Sequence, residues 1–338
     1  MQSQSFISPQ TCTVKAGINI ALIKYWGKRD SVRNLPAVGS LSLTLDPWGT
    51  TTTVSWGDDR AEEQKKHRFI LNQCEIEDPK VFQLLDSINQ LRGNQDYAYV
   101  ESENTVPTAA GLASSASGMA ALGSAAWCAA GMDWTPRHFD PHLIDIIRIG
   151  SGSAPRSLLG GCVRLDQDGQ TLTQVCGETE WDLSLVVAVV ARGAKAVSSR
   201  QGMERTRTTS PFYQAWVSSH AYDLDRAHKA VELRDLESLG MLMEHSTHKM
   251  HACMWASQPP LRYMKPISFS VLDQVKTLRK EGYQAWSTLD AGPHVKILCP
   301  SAQAQSIQNR IQQVAGVHKT LILKIGAGIQ FQETSCSS

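Results

Sequence analysis

Four short stretches of this 338-residue chain combine cations, hydroxyls and glycine in ways that suit an anionic ligand. Residues 107–118, PTAAGLASSASG, place a small-residue loop before a predicted helix whose first turn holds Ser114, Ser115 and Ser117. A helix start offers free N–H groups and a positive dipole end, the chemistry a polyphosphate needs, although an ordinary N-cap with tight helix packing reads the same way. The loop lacks the GxxxxGK[ST] spacing of a Walker A motif. Residues 23–29, IKYWGKR, set a phenol, an indole and several cations beside Gly27, with Lys28 a point charge for an anion; the competing reading puts Trp26 in the core. In residues 150–161, GSGSAPRSLLGG, Arg156 offers a planar fork that matches a carboxylate, or else is a surface arginine. Asp290, in the DAGP turn between two strand-like runs, either caps an Asx turn or addresses a cleft. His245, His248 and His251 fall at i, i+3 and i+6 of a predicted helix, so they fan across about 120° rather than converging on a metal. No residue is assigned as a metal ligand.

These stretches need elements to hold them. Residues 12–23 read as a strand, as do 41–45 and 50–56, with Pro47 and Gly49 as a turn between the last two. Residues 58–66 read as a charged loop, 80–92 as a helix stopped by Gly93, 96–102 as a strand, and 114–130 and 142–149 as helices. Strands are predicted at 161–166, at the run LSLVVAVVA, and at 284–289, 294–299 and 319–325. Helices are predicted at 211–230, 235–256, 270–281 and 301–314. The character changes near 190, from strands with glycine loops to mainly helices. The expected class is therefore α+β, with an N-terminal lobe over 1–190, a C-terminal lobe over 191–330 and a cleft between.

Thirty-three Lys and Arg balance 32 Asp and Glu, for a net charge of +1, which excludes a strongly basic nucleic-acid binder. The nine tryptophans are scattered and form no stripe for nucleobases. The apolar run at 183–191 is far below the roughly 20 residues of a membrane helix. Eight cysteines without a CxxC pair, and an N-terminus without a basic-then-apolar leader, suggest a cytoplasmic protein with free thiols; Cys162 and Cys299 read as packing residues.

Taken together and in order, NIALIKYWGKRD, PTAAGLASSASG, GSGSAPRSLLGG, VSSRQGM and DAGPHVKIL resemble the mevalonate diphosphate decarboxylase family, within the GHMP superfamily of small-molecule kinases. The phosphate loop is the superfamily's feature and the other four are the family's. The resemblance implies a two-lobed fold, with a left-handed βαβ element in the nucleotide lobe and a ferredoxin-like second lobe. It implies a reaction of the mevalonate pathway: ATP, with Mg²⁺, phosphorylates the 3-hydroxyl of 5-diphosphomevalonate. Phosphate and carbon dioxide then leave, giving isopentenyl diphosphate and ADP.

Carried over by position, the resemblance makes Asp290 the essential aspartate and Arg156 the carboxylate-binding arginine, and puts Lys195 near the transferred phosphoryl group. Asn19, Tyr25, Trp26, Gly27, Lys28, Ser151, Gly152, Ser153, Ala154 and Arg200 bind the substrate, and Gly111, Leu112, Ala113, Ser114, Ser115 and Ser117 bind ATP. Pro155 stands where the family usually has Cys or Ser. Lys28 and Arg156 are expected beside Asp290, lowering its pKa. The resemblance also implies a homodimer. A kinase that stops at the 3-phosphate, a decarboxylase preferring the 5-monophosphate, and a nucleotide-binding regulator without turnover remain the alternatives.

Overall fold

The computed structural model describes residues 11–106, 114–135, 138–191, 193 and 196–332. Strand β1 (Thr11–Ile23) runs antiparallel to β4 (Ser40–Trp56), from Thr11 opposite Ser55 to Ile23 opposite Leu41. The expected turn at Pro47 and Gly49 is instead a bulge within one long strand. Gly17 faces Gly49 but Ile18 faces Leu45, so Asp46, Pro47 and Trp48 are extra residues that β4 loops out. Proline has no N–H for the ladder, and such a bulge is where a strand tolerates it. A Cβ on Gly49 would lie 2.1 Å from the Ala16 carbonyl oxygen, so only glycine lets the strands close again. Ile18, Leu22, Ile23, Leu41, Leu43 and Leu45 are at most 2% exposed, each contributing about 1.5–3 kcal/mol of burial.

A separate hairpin, β2 (Lys28–Asp30) with β3 (Leu35–Pro36), follows β1. The charged 58–66 segment contains a short helix, α1 (Asp59–Glu62), capped by Asp58. Then come β5 (Arg68–Leu71), β6 (Cys74–Glu75), α2 (Pro79–Arg92) and β7 (Ala98–Asn104). Helix α2 starts on the Asp78 cap and ends, as expected, at Gly93 with φ +68°. β5 lies parallel to β7 with α2 crossing between them, the one parallel pair among the described strands. Helix α3 (Ser114–Ala129), rich in alanine, is buried beside α4 (Pro141–Gly150). β8 (Cys162–Leu165) pairs with β4 and β9 (Leu172–Cys176).

Strand β10 (Leu183–Val189) is wholly buried. Four helices follow: α5 (Ser199–Thr209), α6 (Tyr213–Glu232), α7 (Leu236–Trp255) and α8 (Pro266–Lys280). The chain continues through β11 (Trp286–Thr288), β12 (Val295–Pro300), α9 (Ser301–Gln312), β13 (Lys319–Ile325) and β14 (Gln330–Gln332), which pairs with β1. The spatial order β11-β12-β10-β13, antiparallel throughout, is a split βαβ arrangement. β10 therefore bonds to β12 and β13, although the expected division at residue 190 leaves it in the first lobe. Two residue pairs, Lys324 with Asp46 and Ile325 with Leu45, join the two halves into one sheet. Cys162 and Cys299 are buried packing residues, at 2% and 0% exposure. No helix among the described residues is long and apolar enough to cross a membrane.

Candidate active site

β1 delivers Lys24 directly past its buried end. The Lys24 backbone N–H donates to Ser246 Oγ on α7 (3.0 Å), which ties the strand's exit to the helical half. Its ammonium donates to the Ala21 carbonyl (2.9 Å) and to Asp290 Oδ1 (2.6 Å). Asp290 lies in the turn between β11 and β12, where Gly292 N–H donates back to its carbonyl oxygen (2.7 Å). From β12, Lys296 donates to Asp290 Oδ2 (2.9 Å). The two lysine side chains are 1–2% exposed, whereas that of Asp290 is 38% exposed. The cations thus sit inside and the carboxylate opens on the cleft. Burial alone would raise the Asp290 pKa, but Lys24 and Lys296 outweigh it and hold the carboxyl well below the usual range. For Lys24, burial wins over the attraction of Asp290 and lowers its pKa to about 8. The expected depression at Asp290 is present: its leading causes are Lys24 and Lys296, and Arg156 is also within electrostatic reach of Asp290, whereas Lys28 lines a separate cavity.

Arg156, in a 3-10 turn (Ala154–Leu158), is 2% exposed. Its Nε donates to Ser42 Oγ (2.9 Å), Nη1 to Ser40 Oγ (2.7 Å) and Nη2 to Asn19 Oδ1 (3.0 Å). Ser40 and Ser42 alternate along β4, so both hydroxyls face one side of the sheet. A guanidinium has five N–H groups. Among the described residues those three bonds leave one N–H on each Nη, two donors available to an anion. Burial lowers the Arg156 pKa to about 10, so it stays cationic near neutral pH. The Asn19 amide is spent on structure: besides accepting from Arg156, its Nδ2 donates to the Ser153 carbonyl (3.0 Å) and to Ser157 Oγ (2.8 Å).

A cavity of about 260 Å³ is lined by Lys28, Ser31, Arg200, Met203 and Glu204, and the buried Tyr25 is within electrostatic reach of both Arg200 on its wall and Arg156. The β2–β3 hairpin supplies Lys28. The first turn of α5 supplies Arg200, held by a reciprocal cap between Ser198 and Gln201. Lys28 is buried at 7% exposure. Burial first, then Arg200 and Lys80, lower its pKa to about 8. Crowded cations in a pocket with a single carboxylate on its wall are arranged for an anion. Gly27, with φ +99°, turns the chain into the hairpin; a Cβ there would lie 2.2 Å from the Tyr213 hydroxyl. At the head of α3, Ser115 Oγ is 3.4 Å from Ser151 Oγ, which is 3.5 Å from Ser153 Oγ, so the phosphate-loop helix and the arginine loop meet.

Two family models cover most of the chain: the diphosphomevalonate decarboxylase-like N-terminal domain matches residues 16–176, and the mevalonate 5-diphosphate decarboxylase C-terminal domain matches 185–333. The diphosphomevalonate decarboxylase of Schizosaccharomyces pombe is 33% identical, over 90% of this chain and 82% of its own. The crystal structure of mevalonate diphosphate decarboxylase from Staphylococcus aureus is 35% identical with a TM-score of 0.88, covering 96% of this chain and 98% of that one. The chain belongs to the diphosphomevalonate decarboxylase family. A structure of a relative in complex with MVAPP, AMPPCP and magnesium is also 35% identical, with a TM-score of 0.86 over 96% of this chain and 99% of that one.

Within this family fold, hydrogen bonds join Asn19 to Ser153 and Arg156, Ser151 and Ser153 approach Ser115, and Arg156 lies within electrostatic reach of Asp290, while Ala154 is fully buried and Lys28 and Arg200 line the cavity. Tyr25 packs its ring toward Gly152, whose Cβ would lie 2.4 Å from the phenol oxygen. That hydroxyl is buried without a hydrogen-bond partner among the described residues, and burial raises its pKa to about 12. Two of the expected contact residues are buried. Trp26 is 2% exposed in a core cluster with Met203, Trp216 and Tyr263, and its indole N–H has no hydrogen-bond partner among the described residues. Ser117 is fully buried, sharing a hydrogen bond with Thr50 Oγ1 (2.9 Å) and donating to the Ser114 carbonyl (3.0 Å); it holds the helix to the sheet. Gly111, Leu112, Ala113 and Lys195 lie outside the described residues.

Sequence reasoning gave no separate role to Lys24, one of several cations in 23–29, or to Lys296, a lone lysine in an apolar strand. It also missed Lys80, at the start of α2, whose charge reaches Lys28. The three histidines of α7 diverge: His245 is 58% exposed near Asp223, while His251 is 1% exposed and burial lowers its pKa to about 4. Among the described residues no three His, Cys, Asp or Glu side chains form a metal-holding group.

Proposed function

We propose that this chain catalyses the ATP-dependent decarboxylation of 5-diphosphomevalonate to isopentenyl diphosphate. The observation that carries the reading is one ionised carboxylate, Asp290, opening on a cleft that also holds Arg156 and adjoins the Lys28–Arg200 cavity. Two cationic stations and one carboxylate suit the two anionic ends and the reacting hydroxyl of one substrate. Lys28 and Arg200 take the diphosphate, the two spare Arg156 N–H groups take the carboxylate, and Asp290 receives the 3-hydroxyl between them. Phosphoryl transfer is largely positioning and charge stabilisation, which suits a cleft rich in N–H donors and poor in acids. Asp290 is a weak base while Lys24 and Lys296 hold it, so it orients the hydroxyl and accepts its proton late in a loose transition state. The head of α3, with Ser114 and Ser115, faces the nucleotide phosphates, and the family resemblance assigns Lys195 to the transferred group. Magnesium enters with ATP, and hydroxyls such as Ser115 and Ser151 suit an ion already held by phosphate oxygens. We place the lobe boundary ahead of β10 and the protein in the cytoplasm as a homodimer.

The diphosphate station gives the test. Purified protein with MgATP should turn over 5-diphosphomevalonate with a higher kcat/KM than 5-phosphomevalonate. Lys28→Met or Arg200→Gln should raise the KM for diphosphomevalonate roughly tenfold or more and that for ATP little, as loss of a charged contact costs about 1.5–3 kcal/mol. Equal effects on both substrates, or a preference for the monophosphate, would overturn the assignment. Because free Lys28 has a pKa of about 8, it loses its proton as pH rises past that value. The KM for diphosphomevalonate should therefore climb above about pH 8 in the parent, and Lys28→Met should flatten that climb.

A further inference from the structure

One lysine is enough to neutralise one carboxylate, yet Asp290 has two. Lys24 divides its donors between Asp290 Oδ1 and the Ala21 carbonyl, whereas Lys296 spends its hydrogen bond on Asp290 Oδ2. Lys296 occupies an unusual place. It is the second residue of β12, between Val295 and Ile297 and across from Val187 on β10 and Thr288 on β11. Val295, Ile297 and Cys299 pack into the cluster under α8 and α9. Leu298 packs into the cluster on the opposite face with Leu239 and Met243 of α7. By strand alternation Lys296 shares the face of Leu298. Its buried ammonium costs desolvation that an apolar side chain there would avoid, and Asp290 would still keep Lys24 as a partner.

We propose that Lys296 is a positioning residue for the reaction: by holding Oδ2 it fixes the rotation of the Asp290 carboxylate, so that the substrate hydroxyl meets a single orientation of it. This deepens the reading given above and rests on it. With Oδ1 held from β1 and Oδ2 held from β12, the carboxylate plane is tied at both ends to the central sheet, while the turn that carries it stays open to the cleft. Loss of one tie leaves a carboxylate that pivots about Lys24. The charged and titratable groups facing Asp290 are Lys24 beyond β1, Lys296 on β12, Arg156 on the 3-10 turn and His251 on α7. His251 is uncharged above about pH 4, so it contributes no charge in the working range.

The experiment compares the parent, Lys296→Met and Lys296→Arg for melting temperature, KM, kcat and the pH dependence of kcat. Lys296→Met should melt close to the parent, because Asp290 keeps Lys24, and should keep KM for both substrates. Its kcat should fall roughly tenfold to hundredfold, the scale of a small misplacement at a reacting centre. The acid limb of its kcat profile should move to higher pH, because Asp290 loses one of the two charges that depress its pKa. Lys296→Arg should recover part of kcat and of the acid limb. A Lys296→Met protein with the parent's kcat and acid limb overturns the proposal. So does one that melts well below the parent, which would make Lys296 a structural residue. A parent that releases neither ADP nor carbon dioxide defeats the functional reading itself, whereas an active parent with an unaffected Lys296→Met defeats only the role of Lys296.

Discussion

Asp290→Asn is expected to cut phosphoryl transfer to the 3-hydroxyl by several orders of magnitude while changing substrate affinity little. The amide keeps the shape of the carboxylate but cannot accept the hydroxyl proton, and the interaction it loses matters mainly in the transition state. There is a second consequence inside the protein. Lys24 and Lys296 are 1–2% exposed and would face a neutral amide. Burial already lowers Lys24 to a pKa of about 8 with the aspartate in place. Without it, the lysine is pushed further toward the neutral form, and breaking such a buried pair costs about 3–5 kcal/mol. A melting curve should therefore accompany the kinetics. Single-turnover measurements on the folded fraction should show ADP release nearly abolished and diphosphomevalonate still bound. Near-normal ADP release would mean that Asp290 does not address the hydroxyl.

Arg156→Gln is expected to cost roughly 2–4 kcal/mol in the barrier, or about 10²–10³ in rate. The guanidinium is fixed by Ser40, Ser42 and Asn19, so its two remaining N–H groups point in a set direction. Glutamine keeps a donor but loses the charge and the fork, and the carboxylate it should hold then samples other orientations. Part of the loss falls on the fold, because the Ser40 and Ser42 hydroxyls lose their donor at a site that is almost fully buried. The double variant with Asp290→Asn should lose less than the product of the two single effects, since both groups order one reacting centre. Full multiplicativity in single-turnover kinetics would show that they act on separate steps.

Several parts of this arrangement were legible in the sequence for identifiable reasons. DAGP between two apolar runs marks a strand-end carboxylate, and a fork-bearing arginine in a glycine-flexed loop marks an anion contact; both reach the cleft. Lys24 and Lys296 were passed over because attention to motifs favoured the glycine-flanked Lys28. Their signal is a different one: a charge in a run otherwise fit for burial must find a partner, and the partner here comes from a distant turn. The α5 helix went unseen because SRQGMERTRTT is polar with few apolar positions to set a period, although Ser198 and Gln201 carry the spacing of a cap. The β4 bulge looked like a turn because proline and glycine signal both. What separates them is the partner strand: β1 runs alongside both halves of β4. Joining the two halves into one sheet rests on two residue pairs between β13 and β4, which no local pattern announces.

The central claim is that one substrate spans Asp290, Arg156 and the Lys28–Arg200 cavity, so phosphoryl transfer and carboxylate loss occur in a single bound state. A single-turnover quench with 1-¹⁴C-labelled diphosphomevalonate and MgATP, following ADP and labelled carbon dioxide in the same samples, tests it most directly. The arrangement predicts equal final amounts of the two, with carbon dioxide never ahead of ADP. ADP formed without carbon dioxide would contradict it and mark a kinase that stops at the 3-phosphate, and nucleotide binding with neither product would mark a protein that binds ATP without turnover.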